Sequence, residues 1–278
     1  MLFSIFILLT ISISNNLIEI YTSSSSQQSV YVPIIMYHQV KNSGFGKDVI
    51  SPYEFENDLK YLADNEYTTV TIDDLIDYVY EGKDLPEKPI ILSFDDGYLS
   101  TYQYVFPLLK EYNMKIVLSV IGKCTDDFSN VVDININYSH MTWEQINEVD
   151  DSGLVEIQNH SYNLHRVCNG RYGCSQMTNE AFSVYEEVMK EDILTLQQKI
   201  ASKIDKTPST FTYPYGKYNS NTEAILKNLG FKATLTVKYG VNLVNRDDPE
   251  TLFNLKRICR SHNQGIKKLL NEVMDLID

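Results

Sequence analysis

Short apolar segments alternate with amphipathic segments from residue 31 to the C-terminus, and this alternation is typical of an α/β fold. Pro89–Phe94 has the length and composition of a buried strand, whereas Tyr53–Asn65 repeats apolar residues at helical spacing. Further strands are predicted at Val32–Tyr37, Thr68–Ile72, Lys115–Ile121, Leu154–Asn159, Phe211–Tyr213, Lys232–Val237 and Leu252–Ile258. Further helices are predicted at Asp73–Tyr80, Tyr102–Tyr112, Asn179–Ile204, Asn221–Leu229 and Ile266–Ile277, with another opening at the capping box Thr142-Trp143-Glu144-Gln145.

The length of the chain suits one large domain. It has 278 residues and a mass of 32.0 kDa, and a barrel of strands and helices typically needs roughly 250 residues. The hydrophobic share of 43% is ordinary for a packed globular protein. No internal repeat or second domain is visible. We therefore expect a single domain over residues 31–278, folded as a distorted (β/α) barrel.

The N-terminus differs in composition from the rest of the chain. Leu2–Ile13 is almost wholly apolar, with the length of a signal-peptide core, and it is too short to span a bilayer comfortably. Residues 23–30 are rich in Ser and Gln and are expected to form a flexible linker. We expect residues 1–22 to be a signal peptide, with an uncleaved anchor as the alternative. The protein would then be secreted or held at the cell surface, without extensive membrane embedding.

Two adjacent carboxylates, Asp95 and Asp96, follow the apolar run Pro89–Leu92. On a continuing strand they would point to opposite faces, but Gly97 permits a positive φ that turns both towards one cavity. One carboxylate could then bind a metal ion while the other accepts a proton. By itself, an Asp-Asp-Gly tripeptide is more often a solvated turn.

Two histidines follow the predicted strand Leu154–Asn159. His160 and His165 are five residues apart, an offset that separates side chains on a helix or a strand. They can converge only if the chain loops back after His160, which Asn163 would allow because asparagine tolerates turn conformations. Two imidazoles and the carboxylate of Asp96 would then supply three ligands and leave a position open for water or substrate, as in catalytic zinc sites.

These segments resemble two motifs of the polysaccharide deacetylase family, also called the NodB-homology domain or carbohydrate esterase family 4. Ser93–Gly97 matches the first motif, Thr/Ser-Phe-Asp-Asp-Gly, and His160-Ser161 with His165 matches the second. The spacing of five, with Leu164 before the second histidine, is similar to the branch that acts on poly-N-acetylglucosamine. The resemblance implies that Asp95 is the catalytic base and that Asp96 binds a divalent metal, zinc being expected, together with the two histidines.

Two further segments extend the resemblance. Phe211–Gly216 ends in Pro-Tyr-Gly, the third motif, which implies that the backbone N–H of Tyr215 binds the oxyanion and that Pro214 contacts substrate. Pro33–His38 matches an opening motif of the family and adds His38 to the expected substrate-binding residues.

The chain also departs from the common family pattern. Thr212 stands where the third motif usually has an arginine that orients the base, and the fourth and fifth motifs are absent. Leu255–Arg260 occupies the region of the fifth motif, as in the poly-N-acetylglucosamine branch, so the general acid is not identified. His262 follows closely, but it is better interpreted as an exposed histidine.

The resemblance implies a metal-dependent hydrolase that removes N-acetyl groups from N-acetylglucosamine residues of chitin, poly-N-acetylglucosamine or peptidoglycan. A net charge of −13 argues against nucleic acid as a partner and suits a neutral or cationic polysaccharide. Two alternatives remain. One is a sugar-binding protein that has lost catalysis, since the usual arginine and acid are missing. The other is a non-haem iron oxygenase, because two histidines and a carboxylate also form its facial triad.

Four cysteines are compatible with an oxidising compartment. Cys168 and Cys174 flank a short loop that follows the histidines, and we predict a disulfide between them. Cys124 and Cys259 could also pair, although sequence does not establish connectivity. No Cys-x-x-Cys motif occurs, which argues against a structural zinc site.

Overall fold

The computed structural model describes residues 28–131 and 133–275, so the predicted signal segment lies outside the described residues. The strands are β1 Ser29–Val32, β2 Ile34–Tyr37, β3 Gln39–Val40, β4 Val49–Ile50, β5 Thr68–Thr69, β6 Pro89–Asp96, β7 Ile116–Val120, β8 Val155–Asn159, β9 Val167–Cys168, β10 Arg171–Tyr172, β11 Thr210–Thr212, β12 Ala233–Leu235, β13 Asn242–Asn245 and β14 Ile258–Cys259. The predicted linker over residues 23–30 overlaps β1, which pairs antiparallel with β13.

The α-helices are α1 Pro52–Asp64, α2 Ile72–Tyr80, α3 Phe106–Tyr112, α4 Gly122–Asn130, α5 Trp143–Asp151, α6 Phe182–Ile204, α7 Ser220–Asn228 and α8 Ile266–Met274. Several begin with the reciprocal side-chain to backbone bonds of a capping box, including the predicted one at Thr142 and Gln145. In the part of the chain that is described, no helix is long and apolar enough to cross a membrane.

The main sheet has the strand order β12-β11-β8-β7-β6-β2-β14, with every neighbouring pair parallel, and β5 adds to β6. One segment of chain contacts both ends of this sheet: Leu255 bridges to Leu235, the last residue of β12, and Ile258 pairs with Ile35 of β2. The sheet therefore curls around on itself, and irregular chain forms part of the closure. The expected distorted (β/α) barrel is confirmed.

Buried side chains on both faces of the sheet explain why its central strands are apolar. Every residue of β6 and β7 is buried, as parallel strands covered by helices require. Phe94 of β6 stacks on Tyr37 of β2, with ring centroids 4.8 Å apart, and Phe55 of α1 packs edge-on against both rings. This packing holds the carboxyl end of β6 against its neighbour.

Three segments differ from the sequence-based expectation. The predicted strand Leu252–Ile258 is mostly irregular, because a 3₁₀ turn occupies Pro249–Leu252 and β14 begins only at Ile258. Helix α4 was not predicted, since Gly122–Asn130 has few apolar residues. The predicted helix Tyr102–Tyr112 starts as a π-helical turn before α3. In each case tertiary contacts outweigh a weak local pattern.

Candidate active site

The two adjacent carboxylates lie at the carboxyl end of β6, below the mouth of the barrel. Asp95 and Asp96 are 3% and 5% exposed, so neither is a solvated turn residue. Asp96 has a φ of 75° and Gly97 a φ of 77°. The predicted turn is therefore present, and it involves Asp96 as well as the glycine. A Cβ on Gly97 would lie 3.1 Å from Cγ1 of Val120, which leaves little room for another residue.

The two histidines converge on Asp96 from the end of β8. The Nε2 atoms of His160 and His165 each lie 3.4 Å from Oδ1 of Asp96. The chain loops back between them as predicted, beginning at Ser161, which has a φ of 72°. Ligand atoms of the three side chains all lie within 4.8 Å of one another.

This set fits a divalent metal ion. Oδ1 of Asp96 is buried and has no hydrogen-bond partner in the described structure, although a buried carboxylate oxygen normally has one. Nδ1 of His160 lies 2.8 Å from the carbonyl oxygen of Thr212, which can only accept, so the proton is on Nδ1 and Nε2 is free to bind a metal. Burial and the neighbouring His160 lower the pKa of His165 to about 4, which keeps it in the neutral form that binds metals.

Asp95 forms a buried ion pair with Arg257. Nη1 and Nη2 of the guanidinium donate to the two carboxylate oxygens at 2.7 and 2.8 Å, and the arginine side chain is fully buried. Burial opposes ionisation of Asp95, but the charges of Arg257 and His160 and the hydrogen bonds from Arg257 together outweigh it and lower the pKa of the carboxyl. Arg257 thus occupies the role expected of the missing third-motif arginine. The sequence signal for it was an arginine in the segment Leu255–Arg260, which stands in the region of the fifth motif.

His38 follows β2 and faces the same cleft. Its Nε2 lies 4.0 Å from Oδ2 of Asp95, and its Nδ1 lies 3.9 Å from Oδ1 of Asp48. The cleft has a volume of about 410 Å³ and includes His38, Asp95 and the three converging side chains in its lining. His262 lies elsewhere, with its Nδ1 2.8 Å from a carboxylate oxygen of Glu54, so it is paired rather than freely exposed.

The Pro-Tyr-Gly turn forms the wall of the cleft beside His165. Tyr215 has a φ of 56°, an uncommon conformation for a bulky residue that is often found at functional sites. Its ring lies between those of His165 and Tyr172, at centroid distances of 4.2 and 4.6 Å. Tyr215 lines the cleft, whereas Pro214 is buried beneath the turn.

The four cysteines are free thiols. The predicted disulfide between Cys168 and Cys174 is therefore wrong, as is the possible pairing of Cys124 with Cys259. The loop after the histidines is instead closed by a short hairpin, in which β9 pairs with β10. Cys174 is buried and contributes to an apolar cluster with Tyr185 and Met189.

Comparison with known proteins is consistent with this geometry. The sequence profile of the family described as "Polysaccharide deacetylase" matches residues 82–234. The chain belongs to the polysaccharide deacetylase family. The matched residues include both carboxylates, both histidines and the Pro-Tyr-Gly turn, so the resemblance first inferred from the motifs is confirmed.

Relatives of this polysaccharide deacetylase include enzymes named for poly-N-acetylglucosamine. Poly-beta-1,6-N-acetyl-D-glucosamine N-deacetylase of Escherichia coli K12 is 26% identical over 235 residues, which cover 77% of this chain and 34% of the relative. The chain thus spans about a third of the length of that protein. The enzyme of the same name from Staphylococcus aureus NCTC 8325 is 24% identical over 225 residues, covering 74% of this chain and 70% of the relative. These similarities place the chain close to the poly-N-acetylglucosamine branch.

Solved structures show the same fold. A de-N-acetylase from Aggregatibacter actinomycetemcomitans superposes with a TM-score of 0.73 at 25% identity, covering 87% of this chain and 99% of the other. IcaB from Ammonifex degensii superposes with a TM-score of 0.70 at 26% identity, covering 86% and 96%.

Proposed function

We propose that this protein is a metal-dependent hydrolase that removes N-acetyl groups from N-acetylglucosamine residues of a polysaccharide. The observation that carries the proposal is the convergence of Asp96, His160 and His165 within 4.8 Å, beside a second carboxylate held by its own arginine. The names of the E. coli and S. aureus relatives favour poly-N-acetylglucosamine as the polymer. Such a polymer lies outside the cell, which supports a secreted or surface location.

Asp96, His160 and His165 would hold the metal, and zinc suits a site with two imidazoles, one carboxylate and an open position. A divalent cation bound there would polarise the acetamide carbonyl and acidify a water molecule. The remaining steps depend on side chains and backbone groups of the chain itself.

Asp95 is placed to accept the proton of the attacking water. Both of its oxygens are bound by Arg257, so the carboxylate is ionised and its orientation is constrained. Each carboxylate oxygen has more than one lone pair, so the ion pair leaves Asp95 able to accept a further hydrogen bond. The arginine thereby holds the base in place without neutralising it by proton transfer, because a guanidinium remains protonated in proteins.

His38 is placed to protonate the leaving amine. Among the described residues that line the cleft, it is the histidine outside the proposed metal set. Its Nε2 lies 4.0 Å from Oδ2 of Asp95, so the proposed proton donor and the proposed proton acceptor lie close together in the cleft. The other ring nitrogen, Nδ1, lies 3.9 Å from Oδ1 of Asp48. We therefore assign His38 as the general acid and not solely as a substrate-binding residue.

The backbone N–H of Tyr215 is proposed to bind the oxyanion that forms on the acetyl carbonyl. The turn that carries it is held by hydrogen bonds from Gly216 N to Tyr213 O and from Lys217 N to Pro214 O. A donor fixed in this way is oriented before reaction, which is what gives such groups their catalytic effect.

The experiment that tests the function combines metal analysis with acetate release. The purified protein should contain about one equivalent of metal and release acetate from a poly-N-acetylglucosamine oligomer. His160→Ala should lose both properties, while His262→Ala, which alters a histidine outside the cleft, should keep both. Absence of acetate release from poly-N-acetylglucosamine, chitin and peptidoglycan alike would contradict the proposal, and release from one of them identifies the substrate.

A further inference from the structure

A carboxylate of α6 binds the chain between His160 and His165, the two histidines of the proposed metal set. Oδ1 of Asp192 accepts the backbone N–H of Tyr162 at 2.8 Å, and Oδ2 accepts that of Asn163 at 2.8 Å. Asp192 is partly buried. Two successive peptide groups of the loop are thus bound by one side chain.

This contact matters because the two histidines are positioned in different ways. His160 directly follows β8, and its backbone N–H still bonds to Val120 O while its ring bonds to Thr212 O. His165 lies beyond an irregular loop, so the position of its ring depends on how that loop is held. The loop starts at Ser161 in a left-handed conformation, which local sequence alone would not maintain.

Other hydrogen bonds also hold the loop. The N–H of Ser161 donates to Oδ1 of Asn159, and the N–H of Leu164 donates to Oγ of Ser161. These two bonds shape the first part of the loop, and the backbone N–H groups of Gly122 and Lys123 at the start of α4 donate to the carbonyl oxygens of Ser161 and Tyr162. Asp192 connects the middle of the loop to a separate, 23-residue helix.

We propose that Asp192 is a positioning residue for the metal site: its carboxylate fixes the link between His160 and His165 so that both imidazoles reach the same ion. The inference rests on the proposed metal set. It adds to that set a residue that touches neither metal nor substrate and acts through the backbone of the histidine loop.

A simpler explanation is that Asp192 only docks α6 on the barrel. That helix already buries Ile193, Leu196 and Ile200 in the apolar interior, and apolar packing is enough to dock a helix. Enclosing a carboxylate is costly unless its hydrogen bonds compensate. Both oxygens of Asp192 are used on the segment between the two histidines, which is where a metal-positioning role requires them.

Asp192→Asn tests the proposal with little change in shape. The amide keeps one acceptor but presents an NH₂ group to the second loop N–H, so one of the two bonds is lost. Zn²⁺ affinity, measured by competition with a chromophoric chelator, should fall by about 10–100-fold, the usual cost of removing a group that orients a metal ligand. The d–d absorption of the Co²⁺-loaded protein should change as well, because the coordination geometry relaxes.

The matched control is Ile200→Val on the same helix. It loosens the packing of α6 two turns further on without touching the loop, so thermal stability should fall while Zn²⁺ affinity stays as in the wild type. Equal Zn²⁺ affinity in wild type and Asp192→Asn would overturn the inference. So would an equal loss of affinity in Ile200→Val, since helix docking would then be the cause.

Two further outcomes are decisive. If Asp192→Asn does not fold, Asp192→Ser, which retains one small acceptor, takes its place, and wild-type affinity in that folded variant again overturns the inference. If the wild-type protein itself binds no Zn²⁺, the proposed metal site fails and this inference fails with it. If the wild type binds Zn²⁺ and the Asp192 variant binds it equally well, only the positioning role of Asp192 is refuted.

Discussion

Arg257 binds both carboxylate oxygens of Asp95 from the far end of the chain, 162 residues away in sequence. The same guanidinium donates through Nε to the carbonyl oxygen of Thr236, so its plane is fixed as well as its charge. The common family pattern has an arginine at the start of the third motif, where this chain has Thr212. The tertiary structure thus supplies a guanidinium to Asp95 from the irregular chain just before β14.

Arg257→Lys should lower kcat for acetate release by about 10²-fold, because lysine keeps the charge but not the two-pronged contact that orients Asp95. Metal content should stay at the wild-type level, since Arg257 contacts none of the three ligands. Arg260→Lys is the matched control: Arg260 binds Asp58 in a buried pair away from the cleft. If both variants lose activity equally, the loss reflects stability and not orientation of the base.

Asp95→Asn should keep the metal and the fold while acetate release falls by about 10²-fold or more, the scale of general-base catalysis. The reason is that, in the proposed site, Asp96 and the two histidines would supply three ligands, so Asp95 would be needed for the proton alone. Metal analysis and circular dichroism, run beside the kinetic assay, check the two retained properties. Loss of metal together with activity would mean that the two aspartates share the ion.

His38→Ala should separate amide from ester substrates. Release of an amine requires a proton, so deacetylation of N-acetylglucosamine oligomers should fall by about 10²-fold or more. Hydrolysis of an aryl acetate should fall much less, because a phenolate leaves without being protonated. The ratio of the two rates is the measurement. Parallel losses on both substrates would show that His38 does not act as the general acid.

Tyr172→Ala should lower deacetylase activity by up to about 10-fold. Tyr172 holds the ring of Tyr215 against His165, and a stacked aromatic pair contributes about 0.5–1.5 kcal/mol. Tyr172→Phe should retain activity because it preserves the stack. Tyr239→Ala removes a tyrosine that is 52% exposed and belongs to no stack among the described residues, so deacetylase activity should stay at the wild-type level. Full activity in Tyr172→Ala would show that the Pro-Tyr-Gly turn does not need the stack on Tyr172 to keep its position.

Glu54→Gln should destabilise the protein in a pH-dependent way. Burial opposes ionisation of Glu54, but hydrogen bonds from Ser51 N, Asn263 N and His262 outweigh it and lower its pKa from 4.5 to about 2. A carboxyl with a depressed folded pKa stabilises the fold above its unfolded pKa, and this stabilisation is lost as pH falls towards the folded value. Urea unfolding should therefore show a larger difference between wild type and variant at neutral pH than at about pH 3. A difference in unfolding free energy that does not change with pH would contradict the lowered pKa of Glu54.

Features that depend on local sequence were predicted well. The strand β6 and the turn after it follow from an apolar run that meets two carboxylates and a glycine, and the strand β8 and the returning histidine loop follow in the same way. Helix starts with a capping residue, such as Thr142, were also predicted, because the bonds that define them join residues three apart. Such patterns need no knowledge of the rest of the chain.

Features that depend on distant contacts were not predicted. The disulfide between Cys168 and Cys174 was predicted from the short loop that they flank and from expected export, but the loop is shaped by the β9–β10 hairpin and both thiols are free. Arg257 was named only as part of the segment Leu255–Arg260 in the region of the fifth motif, and not as a partner of Asp95. Neither spacing nor periodicity reports which side chains meet across the barrel.

The sequence by itself determined the family, the alternating fold and the strand ends at which Asp95, Asp96, His160 and His165 lie. Those properties follow from periodicity and turn chemistry, which act over a few residues. Only the tertiary structure decided that Arg257 binds Asp95, that His38 faces the same carboxylate, and that Asp192 binds the histidine loop. These contacts join residues separated by up to 162 positions, and closure of the parallel sheet is what brings such side chains into contact.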